Sequence, residues 1–226
     1  MIEFLLLDLD DTILDFHKAE RLAIAKTFRG FGIDPTEEVL GRYHVINKSC
    51  WEKLETGELT RAQVLVRRFE LLFAEFGVAC DGAEVARAYE KNLSIGHYFL
   101  PGAEEAVKRL HQKYRLFLCS NGTACVQHGR MTSAGLYPYF EKVFVSQEVG
   151  FNKPSKDYFD ACFAQIPGFD KDKAIMVGDS LTSDIQGGIN AGVRTCWVNP
   201  GHAVGHIRAD YEIEALHQLE ALLEEL

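Results

Sequence analysis

The chain lacks any CxxC pair among its 6 cysteines, any apolar run near the length of a membrane span, and any surplus of positive charge. Each absence excludes something. Cys50, Cys80, Cys119, Cys125, Cys162 and Cys196 are scattered, several of them inside apolar stretches, so neither a disulfide framework nor cysteine metal ligation is expected. A membrane span needs about 20 consecutive apolar residues. The run Ile2 to Leu7 is shorter than that and also lacks the basic start and longer core of a signal peptide, so a cytoplasmic protein is expected. With 33 acidic against 24 basic residues the formal net charge is −9, which argues against a nucleic acid polymer as partner, because Lys and Arg contacts to phosphate dominate that kind of binding. Proline is scarce, 6 in 226 residues, and no proline-rich linker, repeat or low-complexity tract appears. The remaining composition, 47% apolar and 25% charged, is that of one large or two modest folded domains.

What the chain does have is a series of apolar runs that stop at polar residues. The run from Ile2 to Leu7 ends at Asp8-Leu9-Asp10-Asp11-Thr12. In extended chain residues two apart point to the same side, so Asp8 and Asp10 should project together beyond the strand. Two like charges that close need a cation, and the pair suits a site where one carboxylate attacks, the other handles protons, and a hard ion such as Mg²⁺ holds the field. Tyr114 to Cys119 leads into Ser120-Asn121-Gly122. Lys142 to Val145 is followed after a short loop by Lys153-Pro154. Ala174 to Val177 leads into Gly178-Asp179-Ser180, with Asp184 five residues beyond Asp179. Ligands of open α/β sheets bind at the carboxyl ends of the strands, so four segments should converge on one crevice.

Between the first strand and the rest the pattern is helical. His17 to Arg29 has helical apolar spacing and ends near Gly30 and Gly32. Asp34-Pro35-Thr36-Glu37 reads as an N-cap with a first-turn proline, and Thr60 with Gln63 and Asp81 with Glu84 repeat the capping signature. Residues 15–98 are therefore expected to form an all-helical cap inserted into a discontinuous α/β core of residues 1–14 and 99–226. The two connections near 15 and 98 are candidate hinges. From Pro101 on, helices at about 102–113, 124–135, 155–165, 182–191 and 215–225 alternate with the strands above, with Arg194 to Val198 and with a short Tyr211 to Ile213. Such alternation predicts a doubly wound parallel sheet with helices on both faces.

The set DLDDT, SNG, KP and GDSLTSD, in this order and at these separations, resembles the haloacid dehalogenase superfamily of phosphotransferases over the whole chain. The stretches Tyr43 to Trp51, Val66 to Glu70 and Gly187 to Gly192 resemble the noncanonical pyrimidine nucleotidases within it, which are nucleoside 5′-monophosphatases. The resemblance implies a Rossmann-like core with an inserted cap and a small phosphomonoester as substrate.

Asp8 is then the nucleophile that gives an aspartyl-phosphate. Asp10 protonates the leaving oxygen and deprotonates the attacking water, which demands unequal environments for the pair. Asp8, Asp10, Asp179 and Asp184 are the candidate Mg²⁺ ligands, Asp10 through its main-chain carbonyl and Asp184 through water or by holding Lys153; the direct role of Asp179 is implied by the resemblance. Lys153 and Ser120 face the transferring phosphoryl oxygens, with backbone N–H groups nearby.

For the substrate, Asn121, Gly122 and Phe16 are candidates near the catalytic loop. Asn47 and Trp51, four apart and so on one helix face, are candidates over a pyrimidine ring. His202 and His206 sit beside glycines without a third ligand, and the other histidines carry no signal. A phosphosugar phosphatase or mutase shares every core residue named and differs only in the cap. A dehalogenase has no need of Asp10, and a catalytically silent binding protein on the same fold would have lost a charge that is present here.

Overall fold

The computed structural model describes residues 1–226. In chain order it contains β1 (Phe4–Leu7), α1 (Phe16–Gly30), α2 (Glu37–Glu55), α3 (Arg61–Phe76), α4 (Gly82–Leu93) and α5 (Ala103–Leu110). These are followed by β2 (Arg115–Ser120), α6 (Ala124–Ser133), β3 (Lys142–Val145), α7 (Ser146–Val149), α8 (Lys156–Phe163) and β4 (Ala174–Gly178). The chain ends with α9 (Gln186–Ala191), β5 (Arg194–Val198), β6 (Tyr211–Ile213) and α10 (Leu219–Glu224). It divides into two compact units, Met1–Phe16 with His97–Leu226, and His17–Gly96. No helix is long and apolar enough to cross a membrane.

The first unit is built on a six-stranded sheet of order β3-β2-β1-β4-β5-β6, every neighbouring pair parallel. Parallel strands are covered on both faces, which is why β1 is wholly apolar and wholly buried. Alternation divides its side chains. Leu5 and Leu7 join Leu118, Val177, Val107, Leu110 and Leu219 on one face, and Phe4 and Leu6 join Phe117, Met176, Tyr158 and Phe159 on the other. Each such buried side chain contributes about 1.5–3 kcal/mol, so the central strand is firmly anchored. Leu7 lies level with Leu118 of β2 and Val177 of β4, so Asp8 is delivered beside Cys119 and Gly178. Beyond it the chain turns sharply. Asp11 has a positive φ of 54°, its N–H donates to Leu14 O at 2.8 Å, and its carboxylate accepts the Phe16 N–H at 2.8 Å. Asp tolerates this left-handed conformation better than most residues.

The second unit is four helices around an aromatic core. Tyr43 packs on Phe69 at 5.3 Å between ring centroids and on Tyr89 at 5.7 Å, with Phe28 and Phe73 around them. Thr60 and Gln63 form the expected capping box on α3, and Asp81 caps α4. At α2 the cap lies later than the sequence implies. Thr36, not Asp34, accepts a bond from Val39 N, because Pro35 precedes the helix instead of opening it.

Three core helices are also shorter or differently wound. The expected helix at 182–191 begins as a π-helical turn, Leu181–Ile185, and the one at 215–225 begins as a 3₁₀ turn before α10. The helix expected over 102–113 ends at Leu110. Helix ends of this kind depend on local hydrogen bonding that periodicity does not encode.

Candidate active site

Asp8 is 6% exposed, Asp184 1% and Lys153 1%. The Lys153 ammonium lies 2.7 Å from Asp8 Oδ1, 2.6 Å from Asp184 Oδ1 and 2.6 Å from the Cys119 carbonyl. An ammonium has three donors, and all three are engaged. The Asn121 side chain fixes the backbone that carries this lysine. Its Oδ1 accepts from Lys153 N and its Nδ2 donates to Lys153 O, both at 2.8 Å. Asn121 therefore positions Lys153.

Asp179 follows β4, and its carbonyl accepts the Trp197 indole N–H at 2.8 Å. Asp184 sits in the π-helical turn, with its Oδ2 accepting from Ser180 N at 3.1 Å. A Cβ at Gly178 would stand 2.2 Å from Asp184 Oδ2, so glycine is required for Asp184 to come this close to the strand end. One oxygen from each of Asp8, Asp179 and Asp184 lies within 4.8 Å of the others. Three hard oxygen donors gathered where burial disfavours their charge fit a divalent cation such as Mg²⁺.

The electrostatics point the same way. Burial pushes the Asp8 carboxyl up from its ordinary 3.8, Lys153 pulls it down, and the charges of Asp184 and Asp10 add to the rise. Asp179 is also raised, by burial first and then by Asp184 and Asp8. A carboxyl raised in this way binds a proton in the folded protein that it has released in the unfolded chain. Its contribution to stability is therefore lost as pH climbs above about 4. Unfolding midpoints measured in chelator and in excess Mg²⁺ should diverge as pH rises from 4 to 8, with Mg²⁺ giving the larger gain at the upper end. Parallel profiles would show that these carboxylates do not meet a cation.

Asp10 is placed differently from the other three. Its Oδ2 accepts from Gln127 Nε2 at 2.7 Å and its Oδ1 is bound by Arg130. The Asp10 carboxylate is thus outside the three-carboxylate group, and a direct metal role for that side chain does not fit; its main-chain carbonyl is the group it could offer. The same Gln127 Nε2 donates to Ser120 Oγ at 2.7 Å, and Gly122 N donates to that oxygen at 3.1 Å. Ser120 Oγ accepts both bonds, which leaves its own O–H to donate elsewhere. A Cβ on Gly122 would stand 2.5 Å from Gln127 Nε2, so a side chain there would displace the amide that holds Asp10. Phe16 is half-buried, and the fully buried Arg130 stands over its ring at 5.6 Å.

No motif in the sequence marks Gln127 or Arg130. Their only signal there is a pair of polar residues three apart on the helix that follows Ser120-Asn121-Gly122, a spacing that puts them on one face.

In the helical unit Asn47 is 3% exposed. Its Nδ2 donates to Glu20 Oε1 at 2.6 Å, and its Oδ1 accepts from Arg68 at 2.8 Å and from Trp51 Nε1 at 3.1 Å. The amide is engaged inside the unit and orients Trp51. The Trp51 indole remains half-buried, with Arg61 over its ring at 5.6 Å.

The sequence pattern of the haloacid dehalogenase-like hydrolases matches residues 2–192. The pyrimidine 5′-nucleotidase PynA of Streptococcus pneumoniae is 37% identical over 220 residues, 96% of this chain and 93% of that protein. The pyrimidine 5′-nucleotidase YjjG of Escherichia coli is 30% identical over 223 residues, 98% and 97% of the two chains. A magnesium-bound crystal structure of the HAD-hydrolase YfnB from Bacillus subtilis superposes with a TM-score of 0.94 at 39% identity, over 99% of each chain. Matched along nearly its whole length by these relatives, and by the family's own pattern across the segments that carry Asp8, Ser120, Lys153 and Asp179, the chain belongs to the haloacid dehalogenase-like hydrolases.

Proposed function

We propose that the protein is a Mg²⁺-dependent phosphomonoesterase that hydrolyses pyrimidine nucleoside 5′-monophosphates such as UMP, dUMP or dTMP through an aspartyl-phosphate. The observation that carries the reading is the division of two carboxylates two residues apart. Asp8 faces Lys153 among the buried carboxylates, and Asp10 is held apart by Gln127 and Arg130. Unequal surroundings are what a nucleophile and its proton-transfer partner need, and a cation held by Asp8, Asp179 and Asp184 would keep Asp8 ionised against the burial that raises it. The names of PynA and YjjG support the substrate class.

An Asp8 oxygen forms a bond to phosphorus as the ester P–O bond breaks, and the departing alkoxide takes a proton from Asp10. Asp10 then removes a proton from the water that attacks the acyl-phosphate, releasing inorganic phosphate and regenerating Asp8. As Asp8 loses its negative charge in bond formation, the Lys153 N–H directed at it becomes available to a phosphoryl oxygen. Ser120 Oγ, held by Gln127 and Gly122, supplies a second fixed donor. Bound Mg²⁺, held by Asp8, Asp179 and Asp184, would neutralise charge on the phosphoryl group.

Phosphate release across a panel of nucleoside monophosphates and sugar phosphates, with and without chelator, tests the reading. Pyrimidine 5′-monophosphates should be hydrolysed fastest, chelation should abolish turnover, and Mg²⁺ should restore it. Sugar phosphates outrunning the nucleotides would overturn the substrate class, and undiminished turnover in chelator would overturn the metal. Stacking on an aromatic side chain is worth about 1–3 kcal/mol per base. Trp51→Ala should accordingly raise KM for nucleotides by about 5- to 150-fold and leave KM for p-nitrophenyl phosphate nearly unchanged. Equal losses on both would make Trp51 a packing residue.

A further inference from the structure

A second group of metal-ligating side chains lies in the helical unit, apart from the carboxylates of the sheet. One donor atom from each of His17, Glu20 and His44 lies within 4.8 Å of the others. His17 and Glu20 are three apart at the start of α1, so they share a face, and His44 comes from α2. Glu20 is 3% exposed, whereas His17 and His44 reach solvent. The two Glu20 oxygens have separate partners. Oε1 accepts from Asn47 Nδ2 at 2.6 Å, and Oε2 is 2.7 Å from His44 Nδ1. The imidazoles of His17 and His44 stand 4.8 Å apart between centroids, tilted by 56°.

We propose that His17, Glu20 Oε2 and His44 form a second cation site, selective for Zn²⁺ and its first-row neighbours, with water as the fourth ligand. Two imidazoles and one carboxylate make a mixed nitrogen and oxygen set that suits Zn²⁺, whereas Mg²⁺ and Ca²⁺ take oxygen. Donors at about 2.0–2.2 Å from a tetrahedral ion lie roughly 3.4 Å from one another. Closing the site to that size requires rotation of the exposed His17 ring. Binding replaces the hydrogen bond between His44 and Glu20; a neutral His44 shifts that proton to its other ring nitrogen, and a protonated one releases it to solvent. Asn47 stays on Oε1 and keeps Glu20 oriented, as an outer contact does for a metal-bound carboxylate. The bound ion ties the first turn of α1 to α2.

The site is independent of the activity proposed above, and binding tests it directly. Zn²⁺ is titrated into the full chain held in saturating Mg²⁺, so that the sheet carboxylates are occupied, and followed by calorimetry and by thermal unfolding. One Zn²⁺ should bind and raise Tm. His17→Ala and His44→Ala should each weaken that binding by about 100-fold or more and remove the rise in Tm, since even an outer-contact change costs about 10- to 100-fold. Asp179→Asn, in the other unit, should leave Zn²⁺ binding as it is. His44→Ala also removes the partner of the buried Glu20 Oε2, so each variant is compared with itself with and without Zn²⁺, and loss of the Zn²⁺-dependent rise in Tm separates loss of a ligand from loss of fold. Absence of Zn²⁺ binding by the wild type, or equal affinity in the His17→Ala/His44→Ala double variant, overturns the proposal.

Discussion

Asp8→Asn is expected to lower phosphate release by about 10⁴- to 10⁶-fold, the scale seen when an enzyme loses its nucleophile, with the fold intact. An amide oxygen cannot displace an alkoxide from phosphorus, but it still accepts a hydrogen bond from Lys153, which lies 2.7 Å from the present carboxylate. The substitution also removes one charge from a buried group whose members raise one another's pKa. In chelator the variant should therefore be at least as stable as the wild type. Asp10→Asn should behave differently. It keeps the nucleophile, so a burst of leaving group from an activated ester such as p-nitrophenyl phosphate should survive while breakdown of the acyl-enzyme slows. Single-turnover measurements on both variants separate the roles. Activity of Asp8→Asn within tenfold of the wild type would mean that another group attacks phosphorus.

That experiment can be designed from sequence because the sheet is unusually legible. A strand buried on both faces must be apolar throughout, so each run from Phe4, Arg115 and Ala174 declares itself, and the first polar residue after it marks the carboxyl end. Asp8, Ser120 and Asp179 follow from that rule alone. What the pattern hides is everything a helix contributes by its facing. Gln127 and Arg130 reach Asp10 across separations of 117 and 120 residues, and no local spacing encodes such a contact. Glu20, His44, Asn47 and Arg68 form their hydrogen-bonded chain across three helices of the second unit, where the apolar periodicity reports only the aromatic core. The π-helical turn that sets Asp184 was likewise invisible, because a Ser180 cap and a glycine at 178 decide it, not periodicity.

Lys153→Met should produce the largest loss of stability of any single change at the site. Methionine is one atom shorter but nearly fills the same volume, so the loss comes mainly from the ammonium. Without it Asp8, the Cys119 carbonyl and Asp184 Oδ1 lose the donor they share, and Asp184 keeps only the Ser180 N–H on its other oxygen. Removing one partner of a buried charge pair costs about 3–5 kcal/mol, since the surviving charge keeps its desolvation penalty. In chelator the unfolding free energy from denaturant titration should fall by that much at pH 7. Excess Mg²⁺ should return part of the loss, because a cation among Asp8, Asp179 and Asp184 compensates some of the same charge. Neutralising Asp184 as well should also help. Asp184→Asn in the Lys153→Met background should cost less than in the wild type, with a coupling of about 1–3 kcal/mol in a double-mutant cycle. Turnover should drop in parallel by about 10²- to 10³-fold, the effect of deleting one fixed donor to a developing anion. The stability and activity losses are separable, because Mg²⁺ restores only the first. A Lys153→Met protein that unfolds at the wild-type midpoint in chelator would show that the ammonium does not hold these carboxylates together, and the charge balance argued for the site would fail with it.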